Sequence, residues 1–329
     1  MRRRQFLSHV VLGSVISVRI ARGQTHGAVP RIGILFGLSE ADTEGQVRLR
    51  IFLEGLHRLR GAHGDPPEII TRWSAGDNSR IEANADELVR LAPEVILATN
   101  TPSLKALHER TRAIPIVFVN VGDPIGIGVV KQLARPEGNA TGFSLFQPEI
   151  GAKLVSFVRA IRPDIRAVTA LFNPDTGIPR HYVNSIAQAT RAMAVPLIEW
   201  PVRSRADIER TLEAYRDGPS TAVIVVPDPF AVVHRELIVT LLNKIRAVAI
   251  YPFKQFTRAG GLMSYGVDLN DQYRQAASYV DRILKGASAG NLPVQAPTKF
   301  ELVINKRTAD ELGVKIPHFL LAGADEVLE

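Results

Sequence analysis

Two aspartates stand at the ends of apolar runs, each just before a proline: Asp123 after IVFVNVG and Asp228 after VIVVP. Two carboxylates facing each other across a cleft could do acid and base work if their surroundings set their pKa values apart. The same residues could instead hold a ligand's ammonium group, or each could cap the helix that follows it. Three further steps of this kind are Thr101-Pro102 after VILATN, Asn173-Pro174 after VTALF and Tyr251-Pro252 after VAI. A capping Thr, Asp or Asn with proline in the first helical turn is a helix-start signal. These five steps therefore belong where the C-terminal end of a strand hands over to a helix. In open α/β sheets that rim binds ligands, and its free N–H groups and helix dipoles suit a carboxylate.

Other chemistries find no support in the spacing. The eight histidines form no H-x-H or H-E-x-x-H pair, and there is no G-x-S-x-G elbow and no G-x-x-x-x-G-K-[ST] loop. The segment Gly122-Asp-Pro-Ile-Gly126-Ile-Gly128 is glycine-rich but lacks the spacing of a dinucleotide loop and follows the wrong strand. The chain has no cysteine, which removes disulfides, thiol catalysis, Cys-based metal sites and lipidation at an N-terminal Cys. No cofactor or metal is expected, and binding is favoured over catalysis. Phe36, Tyr251, Phe253 and Tyr265 lie near expected strand ends, where they would stack on an apolar or aromatic ligand or serve as plain core.

The elements that must position these residues follow from the hydrophobic pattern. Strands are expected at Arg31–Gly37, Glu68–Trp73, Val95–Thr99, Ile114–Val121, Ala167–Phe172, Leu197–Val202, Ala222–Val226 and Val248–Tyr251. From Val95–Thr99 onward these runs are continuously apolar instead of alternating, as when helices cover both faces of a parallel sheet. Helical spacing recurs between them, as at Phe52, Leu56 and Leu59. The 329 residues suffice for two domains. The expected fold is α/β: two Rossmann-like lobes, each a doubly wound parallel sheet, joined by a three-segment hinge. The crossings fall near Gly142, Phe253–Gly261 and Gly286–Pro297.

Residues 1–23 read as an export leader. Arg2, Arg3 and Arg4 precede a short apolar stretch, and Ala21 and Gly23 suit a cut before Gln24. Arg3-Arg4-Gln5-Phe6-Leu7 also has the look of a twin-arginine signal. Removing the leader's five arginines takes the formal charge from +7 to +2, so no nucleic-acid partner is expected. No uninterrupted run of 18 apolar residues occurs. The expected location is the periplasm, without a lipid anchor.

The strings IPIVFVNVGDPIGIGVV, LARPEGNATGFS, GGLMSYGVDLNDQYRQAASYVDRILKG, LPVQAPTKFELVINKRTADELG and ADEVLE resemble the ABC-transporter substrate-binding family of the tryptophan/tyrosine-binding type, a branch of the type I periplasmic binding proteins. The resemblance runs from about Arg31 to Glu329. It implies a monomer that closes on a small organic ligand and delivers it to a membrane permease and its ATPase. It places 29–142 with 255–298 in lobe I and 143–254 with 299–329 in lobe II. It assigns the carboxylate grip to the loop Thr99-Asn100-Thr101-Pro102-Ser103, where many relatives carry glycine in place of Asn100. Ser39, Gly122, Asp123, Asn173, Asp228, Tyr251, Tyr265 and Asp268 are the other implied ligand contacts, an acidic residue holding the ammonium of an amino acid. A sensory carrier docking on a membrane receptor would use the same pocket, and an exported enzyme would use Asp123 and Asp228.

Overall fold

The computed structural model describes residues 29–329 apart from 62–65, 146, 148, 177–178 and 216–220; the expected leader, 1–23, lies outside the described residues. The first sheet takes β1 (Arg31–Phe36), β2 (Glu68–Trp73), β3 (Val95–Ala98), β4 (Ile116–Val121) and β5 (Ala140–Ser144), in spatial order β2-β1-β3-β4-β5 and all parallel. Helices α1 (Thr43–Arg60), α2 (Asn78–Arg90) and α3 (Thr101–Arg110) connect its strands. Strands β1, β3 and β4 are buried on both faces, which is why they read as apolar runs, while the edge strand β2 is only partly covered.

The second sheet takes β6 (Ala167–Phe172), β7 (Leu197–Pro201), β8 (Thr221–Val225), β9 (Val248–Tyr251), β10 (Met263–Val267), β11 (Phe300–Asn305) and β12 (Glu326–Leu328). Their order is β12-β11-β10-β9-β8-β6-β7, and only the β10–β11 pair is antiparallel. Helices α4 (Ile150–Ile161), α5 (Pro179–Ala192), α6 (Arg205–Glu213), α7 (Pro229–Val233), α8 (Arg235–Lys244) and α9 (Lys254–Arg258) accompany it, with α11 (Lys306–Leu312) and α12 (His318–Ala322) near the C-terminus. Helix α10 (Leu269–Leu284) returns to the first lobe and packs along α1, where a Cβ on Gly55 would lie 3.0 Å from that of Ala277.

The three crossings stand, but two are displaced. Strand β5 keeps the chain in the first sheet through Ser144, so the first crossing follows Gly142 by a few residues. Strand β10 pairs with β9 and β11 in the second sheet, so residues 255–267 belong to the second lobe and the chain crosses at Asp268 instead of Phe253–Gly261. The glycine pair Gly260-Gly261 follows α9 with Gly260 in the left-handed region, a local turn inside the second lobe. The third crossing lies between Gln295, which is still bonded to β5, and β11.

The hinge segments are tied to one another. The Asp268 carboxylate caps α10 by accepting from the Asp271 N–H at 3.2 Å and pairs with Lys299 Nζ at 2.9 Å. Its N–H donates to the Lys299 carbonyl at 3.0 Å. The Gln272 amide joins the ends of β4 and β5 just before the first crossing, donating to the Ser144 carbonyl at 2.9 Å while its Oε1 accepts from the Asn120 N–H at 2.9 Å. Among the described residues no helix is long and apolar enough to cross a membrane.

Candidate ligand cleft between the lobes

A cavity of about 730 Å³ lies between the lobes. The first lobe contributes Leu38, Arg48, Thr99, Asn100, Thr101, Asn120 and Tyr273, the second Asn173, Asp175, Arg203, Phe230, Val233 and His234. The volume falls in the range of small-molecule sites, and the mixture of apolar wall and sparse polar groups is what such sites use.

The loop after β3 is built by Asn100. Its Oδ1 accepts from the Ser103 N–H at 2.9 Å, which makes Asn100, one residue earlier than expected, the N-cap of α3. The amide fits because residue 37 is glycine: a Cβ there would overlap it. Thr99 Oγ1 accepts from the Gly37 N–H at 3.1 Å and donates to the Leu35 carbonyl at 3.1 Å, tying the ends of β1 and β3. Thr101 Oγ1 and Ser103 Oγ are buried with no hydrogen-bond partner among the described residues.

Of the five X-Pro steps, Thr101-Pro102 and Asp228-Pro229 open side-chain-capped helices, the first capped by Asn100. Asn173-Pro174 opens a single 3-10 turn, where Asn173 Oδ1 accepts from the Asp175 N–H at 2.9 Å. Asp123-Pro124 heads a turn instead of a helix, with the carboxylate accepting from the Gly126 N–H at 2.8 Å. Tyr251-Pro252 precedes α9, whose N-cap is Phe253, without a side-chain bond.

Among the expected site residues, Thr99, Asn100, Thr101 and Asn173 line the cavity. The rest have other surroundings. Ser39 is exposed in the turn before α1, and its carbonyl accepts from the Asp42 N–H. Ser103 is buried in the first turn of α3, and the Gly122 carbonyl accepts from Ser144 Oγ at 3.2 Å. Asp123 reaches across to the second lobe, its Oδ2 lying 3.2 Å from His181 Nε2. Asp228 is buried, with Oδ1 accepting from the Phe230 N–H at 2.7 Å and Oδ2 from the Asn173 N–H at 3.1 Å. Tyr251 is core, stacked on Phe256 at 5.4 Å, and burial pushes its phenol up. Tyr265 packs edge-on against Phe157 at 5.2 Å and opens with Phe300 onto a separate shallow hollow beside α4. Asp268 is the hinge clip described above.

The cleft also uses residues that the X-Pro pattern did not mark. Tyr273 ends a stack of rings, Trp73 on Phe36 at 4.0 Å and Phe36 on Tyr273 at 6.2 Å. Burial pushes its phenol up to about 12. Phe230 stands in the opposite wall with His234 edge-on at 4.5 Å. Burial, with Arg205 nearby, holds His234 below the ordinary imidazole range. Asn120 sits in left-handed backbone (φ 58°) at an irregularity in β4 and is held there by Gln272. Arg48 is only 3 % exposed, and its Nη2 donates to Gln255 Oε1 of the second lobe at 2.5 Å. The sequence held a sign of Asn120, which interrupts an apolar strand.

Two α/β lobes, a three-segment hinge and a cavity between strand ends define a two-lobed binding protein of the type I periplasmic class. The model of the family described as ABC transporter substrate binding protein matches residues 48–328, and the chain belongs to that family. It is 22% identical over 264 residues to a tyrosine-binding protein of Clostridioides difficile (strain R20291), covering 80% of this chain and 76% of that one. Its fold is similar to that of a conserved domain protein from Vibrio cholerae, with a TM-score of 0.83, 25% identity, and coverage of 91% of this chain and 100% of the other. It is likewise similar to an ABC domain from Streptococcus pneumonia solved in complex with L-Trp, with a TM-score of 0.82, 23% identity, and coverage of 92% and 100%.

Proposed function

We propose that this chain captures an amino acid or a related small carboxylate between its lobes and delivers it to the permease and ATPase of an ABC importer. The observation that carries this reading is the cavity itself: both lobes line it, and the buried Arg48 and Thr101, whose hydroxyl has no hydrogen-bond partner among the described residues, belong to its wall. The tyrosine-binding and L-Trp-bound relatives make aromatic amino acids and their analogues the first ligands to try. Tyr273 and Phe230 are the rings such a ligand would meet.

On this reading the protein works as a monomer in the periplasm, exported by the leader. It acts by capture and release, without turnover. Supporting this, Asp123 and Asp228 both accept from backbone N–H groups and neither lines the cavity, so the paired-carboxylate chemistry has no foothold there. Thermal-shift screening of amino acids and related carboxylates tests the reading. At least one compound raises the unfolding temperature in a saturable way. Silence across the library from folded protein shown free of copurified ligand overturns it.

A further inference from the structure

The lobes also meet beside the cavity, away from the hinge, and one contact there joins opposite charges. Asp42, the N-cap of α1 in the first lobe, accepts from the Gly45 N–H through Oδ1 at 3.0 Å. Its Oδ2 pairs with Arg235 Nη1 of the second lobe at 2.8 Å, and the two side chains are only 7% and 15% exposed. Arg235 opens α8 and is steadied by its own chain, Nη1 donating to the Val232 carbonyl at 3.2 Å. The competing acid, Glu236, is exposed and 3.9 Å away, so Asp42 is the effective partner.

Neither Asp42 nor Arg235 lines the cavity, yet their neighbours close its wall. Leu38 of the first lobe packs on the apolar core of the second. Gly76 lies against Val233, where a Cβ on the glycine would stand 2.8 Å from Val233 Cγ2. Leu38, Gly76 and Val233 all face the cavity. This seam exists only while the lobes are together, and opening about the hinge returns both charges to water. Screening by solvent is reduced in the closed seam, and the backbone bonds to Asp42 and Arg235 offset part of their desolvation. A contact made in one of two states shifts the equilibrium between them, and ligand affinity follows the closed population.

We propose that Asp42 and Arg235 form a latch that holds the cleft shut and so sets how firmly a ligand is retained, without touching it. The latch rests on closure of the lobes and not on the chemistry of the ligand.

The chain has no cysteine, so an introduced pair reports on the lobes alone. In Gly76→Cys/Val233→Cys the two Cβ positions lie 3.4 Å apart, close to disulfide spacing, and they cross-link in a fixed thiol–disulfide buffer when the cleft is shut. On protein dialysed free of copurified ligand, the cross-linking rate follows the closed population. Asp42→Asn, which keeps the α1 cap, and Arg235→Met, which keeps the packing of the stem, each slow it about tenfold. Together they slow it no more than either alone. An unchanged rate, or effects that simply add, overturns the latch. Gly76 has φ +74°, which strains a cysteine there. Should that pair fail to fold, spin labels on Arg90→Cys and Lys244→Cys, at exposed ends of α2 and α8, take its place. Wider label spacings in both latch variants support the latch, and coincident spacings overturn it. No ligand enters either measurement. Silence in the thermal-shift screen therefore leaves the latch standing, and an unchanged cross-linking rate leaves the carboxylate reading standing.

Discussion

Asp228 accepts a hydrogen bond from the backbone N–H of Asn173 at 3.1 Å, so one buried carboxylate joins the ends of the neighbouring strands β8 and β6. Its other oxygen caps α7 through the Phe230 N–H, which places Phe230 in the cleft wall. Replacing it with alanine leaves two N–H groups without that acceptor. Asp228→Ala is expected to lower folding stability by about 1–3 kcal/mol, while Asp228→Asn keeps part of it. Urea unfolding of the three proteins checks this, and unchanged stability in the alanine variant would rule out the structural role.

Gly37 and Asn100 are coupled by space. Gly37→Ala drives a methyl group into the Asn100 amide and is expected to weaken ligand binding by about tenfold, because the α3 cap and the Thr101 position depend on that amide. Adding Asn100→Gly to it makes room again and restores much of the loss, although the cap is gone. A double-mutant cycle on affinity measures the coupling, and simple additivity would contradict it.

Asp268 gives the hinge an acid sensitivity. Burial pushes its carboxyl up, but Lys299 and the Asp271 N–H pull it down and prevail, so it lies below the ordinary range. A group with a depressed folded pKa stabilises the fold above its unfolded value, about 3.9 for aspartate, and the contribution is lost as pH falls through the folded value. Lys299 is 58% exposed at its side chain, which limits the contribution to about 1 kcal/mol. Asp268→Asn is therefore expected to be less stable than the native chain near neutrality, with the gap narrowing below about pH 4. Denaturation midpoints across that range provide the check; a gap that widened on acidification would have the wrong sign.

Tyr273 acts in the opposite range. Its phenol is pushed up to about 12 by burial, so the folded state favours the protonated form. That contribution is complete below the unfolded value of about 10 and is lost as pH rises toward 12. Tyr273→Phe keeps the ring against Phe36 and is expected to lose stability less steeply with pH over this window. Tyr251 is raised as well and keeps some slope in the variant. Midpoints followed up the alkaline limb decide it, and identical slopes would mean that Tyr273 titrates freely.

Much of the fold was legible because parallel strands buried on both faces leave unbroken apolar runs, as at Ala167–Phe172 and Val248–Tyr251. Strand β5 and strand β10 did not stand out: ATGFS and MSYGV mix small and polar residues, since they lie where the chain prepares to cross. The misplaced second crossing followed from β10. In the cleft, the loop from Thr99 to Thr101 was legible through its cap-and-proline signal. Arg48, Phe230 and Tyr273 were not, because a helix face in one dimension does not reveal which neighbour it meets; Tyr273 reaches the cavity only through the packing of α10 on α1. Asp228 shows the converse, a residue with the signature of a site that the strand ends use for themselves.

The interlobe cavity is proposed to hold a small carboxylate. Native mass spectrometry of the protein drawn gently from the cells that make it tests this most directly. A one-to-one complex whose released ligand is a small organic acid is the expected result. Folded protein that carries no ligand and takes up none from a broad set of carboxylates, or a bound molecule without an acid group, would contradict it.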